Sequence, residues 1–259
     1  MLYIHENNLL TKIATNYKCI GDKVNEFYKN TYQPVKKALS ALSFSLDNQT
    51  VFAQATSIIN DYYKKLDAFS RENAVTSQSK FASTFLEEIS SYLFKDIPEI
   101  KSGEFGVFNK KVYAGLKINT DKSIGLITKD VDFCIGKKTT LSIDGQTAVE
   151  LILPIVAVEV KTYLDATMFG EIKSSSKAIR SASPNSKTYV LMGYKNIADE
   201  HIIAARQDST LTEMFVLKEN EHAPIDANAL YLYWKEITST IADISKEEKI
   251  AVPGKLLRK

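Results

Sequence analysis

Residues 151–161 read LILPIVAVEVK, an apolar run that closes on two opposite charges. Ile155, Val156, Ala157, Val158 and Val160 are strand formers, dense enough to predict a strand buried on both faces. The same run carries Glu159 and Lys161 into its far end, and burying charge is costly unless the charges are paired or hold a metal. Side chains alternate along a strand, so Glu159 and Lys161 share one face, roughly 7 Å apart by the per-residue rise. The sequence supplies its own control for this triplet. Glu99/Lys101, Glu171/Lys173 and Glu247/Lys249 have the same spacing, but in polar, helical or loop-like surroundings. Only Glu159/Lys161 closes an apolar strand.

Working outward from Lys161, Asp165 is placed to cap a helix from Ala166 to about Ser181, and Ser183, Pro184 and Asn185 stop it. Met168 and Phe169 are read as packing that helix onto the sheet. TYVLMGY, Thr188 to Tyr194, then predicts a second buried strand, and the strand-helix-strand order implies a parallel pair. Upstream, Val131, Phe133 and Ile135 alternate with Asp130, Asp132 and Cys134, which puts Asp132 in the middle of a strand and Asp130 at its entry. Asp144-Gly145 is a strong hairpin turn and joins Thr139–Ile143 to the run at 151. The sheet is therefore predicted to be mixed, a hairpin feeding a parallel unit. Before it, glycines at 103, 106, 115 and 125 punctuate short strands near 105–108 and 111–118.

Ser77 to Phe94 is the clearest helix, with Ser77 or Ser79 as its cap. On a helical wheel its Phe81, Phe85, Ile89 and Tyr92 face places Glu88 on the border and Glu87 nearly opposite. Glu88 is thus expected to lean toward a site that the helix covers, or to be a plain boundary residue, and Glu87 to be solvated. From Asn7 to about Ser70 the periodicity is helical, with Pro34 read as a helix-opening residue. Tyr62, Tyr63, Lys64 and Lys65 lie there, as a solvated face or a phosphate contact. The tail predicts a helix at 198–206, a short apolar segment at 214–217, a helix at 228–244 and a basic end, Lys255, Arg258 and Lys259. Sections 1–76 and 77–259 are the expected division, the first serving DNA contact or dimerisation.

The 259 residues are 44% hydrophobic and 25% charged with a formal net charge of +2, a globular composition with no global sign of a nucleic-acid binder. Two cysteines suit a reducing cytoplasm, and no run is long enough for a membrane span, so a cytoplasmic protein is expected. His5, His201 and His222 have no metal-ligand spacing and are read as surface residues. No glycine-rich phosphate loop follows a strand.

Asp132 and Glu159 can end on neighbouring strands, where two close carboxylates repel unless a cation lies between them. Oxygen ligands without a Cys or His cluster select Mg²⁺, with Mn²⁺ able to substitute, and the Val160 carbonyl can add a ligand. Lys161 then stands ready to orient water or neutralise charge on a phosphate. The alternative is a buried ion-pair cluster.

An acid at Val131-Asp132 followed across a hairpin by Glu159-Val160-Lys161 resembles the PD-(D/E)XK nucleases, with Val131 standing where the family has proline. EVKTYLDATMFGEI, residues 159–172, is similar to type II restriction endonucleases of the BbvCI and DdeI kind. The resemblance covers the middle half of the chain. It implies a restriction-endonuclease-like α/β core, a Mg²⁺-dependent type II restriction endonuclease or one subunit of one, and cleavage of double-stranded DNA at a short sequence. It also implies a second subunit, in a homodimer or heterodimer. In that reading Asp132 and Glu159 bind the metal, Lys161 assists the attacking water and Glu88 is an outer ligand. Lys173, Lys177 and Arg180 grip phosphates or form a solvated helix face. A repair or defence nuclease of the same fold and a non-catalytic DNA-binding partner subunit are the competing readings.

Overall fold

In a computed structural model, which describes residues 2–142, 148–208 and 210–244, the amphipathic N-terminal sequence folds as helices. They are α1 (Ile4–Ala14), α2 (Gly21–Phe27), α3 (Gln33–Ala41) and α4 (Thr50–Glu72). Pro34 stands in the first turn of α3, although that turn continues an earlier helix. The path from α2 to α3 is unbroken, joined by a π-helical turn, Tyr28–Tyr32. That wider turn falls just before the position where proline has no N–H for a carbonyl four residues back. Next comes α5 (Phe81–Phe94). Lys80 at φ 61° takes the capping position; Ser77 and Ser79 lie before it in a short 3₁₀ turn, from which Ser79 Oγ accepts from the Phe81 amide at 3.4 Å. Eleven of the fourteen α5 residues are buried, because α5 is covered on nearly every side. A single turn, α6 (Pro98–Lys101), leads into the strands.

The strands are β1 (Gly106–Phe108), β2 (Val112–Ile118), β3 (Ile124–Lys129), β4 (Phe133–Leu141) and β5 (Val149–Leu164). After them follow α7 (Ala166–Ala182), β6 (Lys187–Lys195), α8 (Asp199–Asp208), β7 (Glu213–Val216) and α9 (Ala227–Ile244). Five strands make a mixed sheet in the order β1-β4-β5-β6-β7, and β2 with β3 makes a separate antiparallel ribbon. β4 and β5 are antiparallel, from Phe133↔Val158 to Leu141↔Val149. The Asp144-Gly145 turn between them lies outside the described residues, as does the basic end at 255–259. β5 and β6 are parallel through α7, and β7 adds parallel to β6. Gly136 and Gly193 flank β5 where a Cβ would meet the carbonyl oxygens of Leu153 and Thr162 at 2.3 Å, so both neighbouring strands need a bare backbone there.

Alternation along β5 sorts the layers. Val156, Val158 and Val160 join a core that runs from Leu9 through Phe52, Phe85 and Phe133 to Trp234 and Ile241. The opposite face carries Ala157 with Cys134, Val112, Ala114 and Ile179, under α7 and the β2–β3 ribbon. Phe169 packs α7 against Leu164, Val190 and Met192, with Met168 beside it. The C-terminal segment is not an appendage. Its β7 extends the sheet, and Trp234 of α9 is buried and donates from Nε1 to the Leu93 carbonyl at 3.1 Å.

Candidate active site

β4 begins only at Phe133, so Asp132 sits in the bend just before the strand rather than within it. That bend leaves β5 without a β4 partner beyond Val158, and the exposed edge must find acceptors elsewhere. Asp132 supplies one: its Oδ2 accepts from the Val160 amide at 2.7 Å. The same oxygen accepts from Lys161 Nζ at 3.0 Å, and Lys161 Nζ also donates to Glu159 Oε2 at 3.1 Å. One ammonium thus bridges two carboxylates at the end of the sheet. Their side chains keep 26% (Asp132), 15% (Glu159) and 29% (Lys161) of their exposure, so the cluster is open to solvent. Asp130 is exposed and two residues upstream of it.

Two acids on one base leave an excess of negative charge. Burial, and then the Asp132 charge, push the Glu159 carboxyl up to about 7, with Lys161 pulling the other way. Burial opposes the charge on Lys161, but Asp132 and Glu159 outweigh it and hold the ammonium above its ordinary pKa. The lysine therefore stays protonated at neutral pH and acts as a donor.

The wheel assignment on α5 is reversed. Glu87, expected in solvent, is half-buried and feels Asp132, Lys161 and Glu159; burial first, then the Asp132 and Glu159 charges, push it up to about 7, with Lys161 and Lys80 opposing. Glu88, expected to lean toward the site, is fully buried on the other side of α5. Its Oε1 accepts from Tyr32 and Tyr92 hydroxyls, both at 2.6 Å, and its Oε2 from the His5 and Glu6 amides at 2.8 and 3.2 Å. The physical reason is that α5 has helices on one side and the sheet on the other, so besides Glu87 only a narrow strip at Ala82 and Ser83 meets solvent and no broad wet face exists against which to judge a border. A signal was present: Thr84, Glu88 and Tyr92 recur at four-residue spacing and so share one face of the helix.

His5 is not a surface residue either. It is fully buried, its Nδ1 paired with Thr84 Oγ1 at 2.9 Å and its Nε2 with the Tyr62 hydroxyl at 2.5 Å. Tyr62 is therefore interior and not a phosphate contact, while Lys64 and Lys65 are exposed. His201 and His222 are exposed, as read.

On α7, Asp165 caps the helix by accepting from the Met168 amide at 2.8 Å. Lys177 is exposed and Lys173 and Arg180 half-buried, with the Lys173 ammonium 5.8 Å from the Phe169 ring centre. By the helical rise these three stand roughly 12 to 22 Å from the capped end of α7. An open groove of about 610 Å³ runs along that end, lined by Lys129 and by Thr167, Gly170, Ser174 and Ser175.

A mixed sheet whose central hairpin joins two acids to a lysine, with helices on both faces, is a restriction-endonuclease-like fold. Residues 78–232, more than half of the chain, match the family model of the Bpu10I restriction endonuclease. The chain belongs to that family of nucleases. Among solved structures it is similar to native BbvCI, described as an A2B2 tetramer, at 13% identity and a TM-score of 0.72 over 93% of this chain and 98% of that one. At that identity the likeness speaks for the fold, and the five-stranded mixed sheet agrees with it. No curated protein matches the chain. Among the described residues no helix is long and apolar enough to cross a membrane.

Proposed function

We propose that this chain is a Mg²⁺-dependent type II restriction endonuclease, or one subunit of such an enzyme, that hydrolyses duplex DNA at a short specific sequence. The observation that carries the reading is the solvent-accessible junction of Asp132, Glu159 and Lys161, built where β5 outruns β4. Family membership supplies the nuclease chemistry. The donor set suits Mg²⁺. Among the described residues no group of three or more His, Cys, Asp and Glu side chains could hold an ion. Mg²⁺ needs less, because it keeps waters and binds through one or two carboxylates plus substrate phosphate. Asp132 and Glu159 would hold it, with the Val160 carbonyl, which leaves the same strand edge as the Val160 amide. Its contribution when bound is to acidify water and offset charge on a phosphate oxygen.

The remaining chemistry falls to side chains of this chain. Lys161, kept protonated, orients the attacking water and donates to the phosphate as negative charge develops. Glu87, with a carboxyl near neutrality and beside the cluster, takes the outer position first assigned to Glu88, holding a water or accepting its proton. Lys173, Lys177 and Arg180 contact phosphates away from the scissile one, a contribution that falls steeply with salt. The A2B2 assembly of BbvCI supports action with a second subunit, of the same or a different chain.

A supercoiled-plasmid assay tests this. The purified chain, alone and with the product of an adjacent gene, is expected to nick or cut with Mg²⁺ and not with EDTA. Asp132→Asn and Glu159→Gln should lower the rate on the order of 10²-fold or more. Cutting at the wild-type rate by either variant removes the assignment; DNA binding without cutting under every pairing makes the chain a binding subunit.

A further inference from the structure

Helix α1 lacks a cap of its own. Tyr3 occupies the capping position and makes no side-chain hydrogen bond there, which leaves first-turn amides in need of acceptors. Glu88 Oε2 takes two of them, His5 N and Glu6 N. A carboxylate from α5 thus caps α1 from outside, where the positive end of the helix favours it. The other oxygen accepts from Tyr32, in the π-helical turn, and from Tyr92, one turn further along α5. Four donors from three elements surround one fully buried carboxylate.

Buried charge is an expensive way to cap a helix, since a Ser or Asp at position 3 would do the same work in solvent. What the expense secures is a fixed orientation. Glu88 cannot rotate without losing two amides and a tyrosine from outside α5, and its neighbour Glu87 is the residue that α5 presents to Asp132, Glu159 and Lys161. Successive residues on a helix are rigidly about 100° apart. A rotation of about 10° moves an atom 6 Å from the axis by about 1 Å. A displacement of that size at a reacting centre can cost on the order of 10²-fold.

We propose that Glu88 is a positioning residue for the nuclease centre: by clamping α5 to α1 and to Tyr32, it sets the rotation of α5 at which Glu87 faces the Asp132, Glu159 and Lys161 cluster. The N-terminal helices then brace the site. The inference rests on the nuclease reading of that cluster.

The test is a double-mutant cycle on the full chain, with Glu88→Gln, Glu87→Gln and both together. Gln keeps the shape but has one acceptor oxygen in place of two and no charge, so it cannot accept from both the α1 amides and the two tyrosine hydroxyls, and it loses the attraction of a carboxylate for the end of α1. Mg²⁺ binding is read by calorimetry, and single-turnover cleavage of duplex DNA is read against Mg²⁺ concentration, well below the unfolding temperature. Amide exchange at His5 and Glu6 reports that the clamp is broken. Glu88→Gln is expected to weaken Mg²⁺ binding and cleavage 10- to 100-fold, as outer-shell changes do, and to add nothing once Glu87 is replaced. A lowered melting temperature with unchanged Mg²⁺ binding overturns the proposal, as does an equal loss with and without Glu87. If Glu88→Gln does not fold, Tyr32→Phe, which removes one donor at constant shape from outside α5, enters the same cycle with the same two outcomes at smaller amplitude. If Glu87→Gln and Asp132→Asn both cleave normally, the nuclease centre itself is misplaced; if they fail and Glu88→Gln is additive, only the clamp is wrong.

Discussion

Lys161 stands between two carboxylates, and that ratio separates a functional cluster from a structural one. A stabilising ion pair matches its charges, and removing one partner strands the other. Here Glu159 is the surplus acid, since Asp132 already holds both the Val160 amide and Lys161 Nζ. Replacing it should relieve repulsion rather than strand a charge. Glu159→Gln is therefore expected to keep or raise the urea midpoint of the metal-free protein while losing cleavage, a trade between stability and activity. A lower midpoint that corresponds to a loss of about 3 kcal/mol or more, the scale of a broken buried pair, would mark the cluster as structural.

At the scale of elements, the strands were more legible than the helix that faces them. β5, α7 and β6 follow from local signals: an apolar run, an Asp cap and a second apolar run fix both identity and order. Asp132 was assigned to the right hairpin but to mid-strand, because alternation does not register that β4 starts one residue later. The wheel exchanges Glu87 and Glu88 because it assumes one broad wet face, and besides Glu87 α5 keeps only a narrow strip at Ala82 and Ser83. His5 was misread for a related reason, since its partners Thr84 and Tyr62 are far off in sequence. Its burial has a measurable consequence, because it pushes the His5 pKa from 6.5 down to about 3. The unfolded chain then takes a proton below pH 6.5 that the folded protein refuses, so this contribution is complete above 6.5 and is lost as pH falls toward 3. Wild type should lose up to about 1.4 kcal/mol per pH unit relative to His5→Gln in that window. Glu88, whose carboxyl burial pushes up, acts in the opposite direction but is common to both proteins. Parallel stability curves for the two proteins between pH 4 and 6.5 would contradict the assignment.

For the whole molecule, the question is whether the helices before Ser77 and the sheet after it unfold separately. The expected division at 76/77 suggests a joint, and the family match begins at residue 78. Packing argues for one unit. A single core holds Leu9, Phe27, Tyr32 and Phe52 together with Phe85, Phe133, Val158 and Trp234. Phe52 of α4 lies 5.4 Å from the Trp234 ring, and Asn60 exchanges two hydrogen bonds with the Ile225 backbone, at 2.8 and 3.1 Å. Removing residues 1–76 would expose Phe81, Phe85 and Trp234 and strip Glu88 of three of its four donors. Each large apolar side chain so exposed costs roughly 1.5–3 kcal/mol, against a total stability of only about 5–15 kcal/mol. A chain starting at Ser77 is accordingly expected not to fold, and the intact chain to melt in one calorimetric transition whose enthalpy equals the van't Hoff value. Two resolved transitions, or a soluble and cooperative fragment from residue 77, would show the front helices to be a separate attachment, and with that the bracing of α5 through Glu88 would lose its footing.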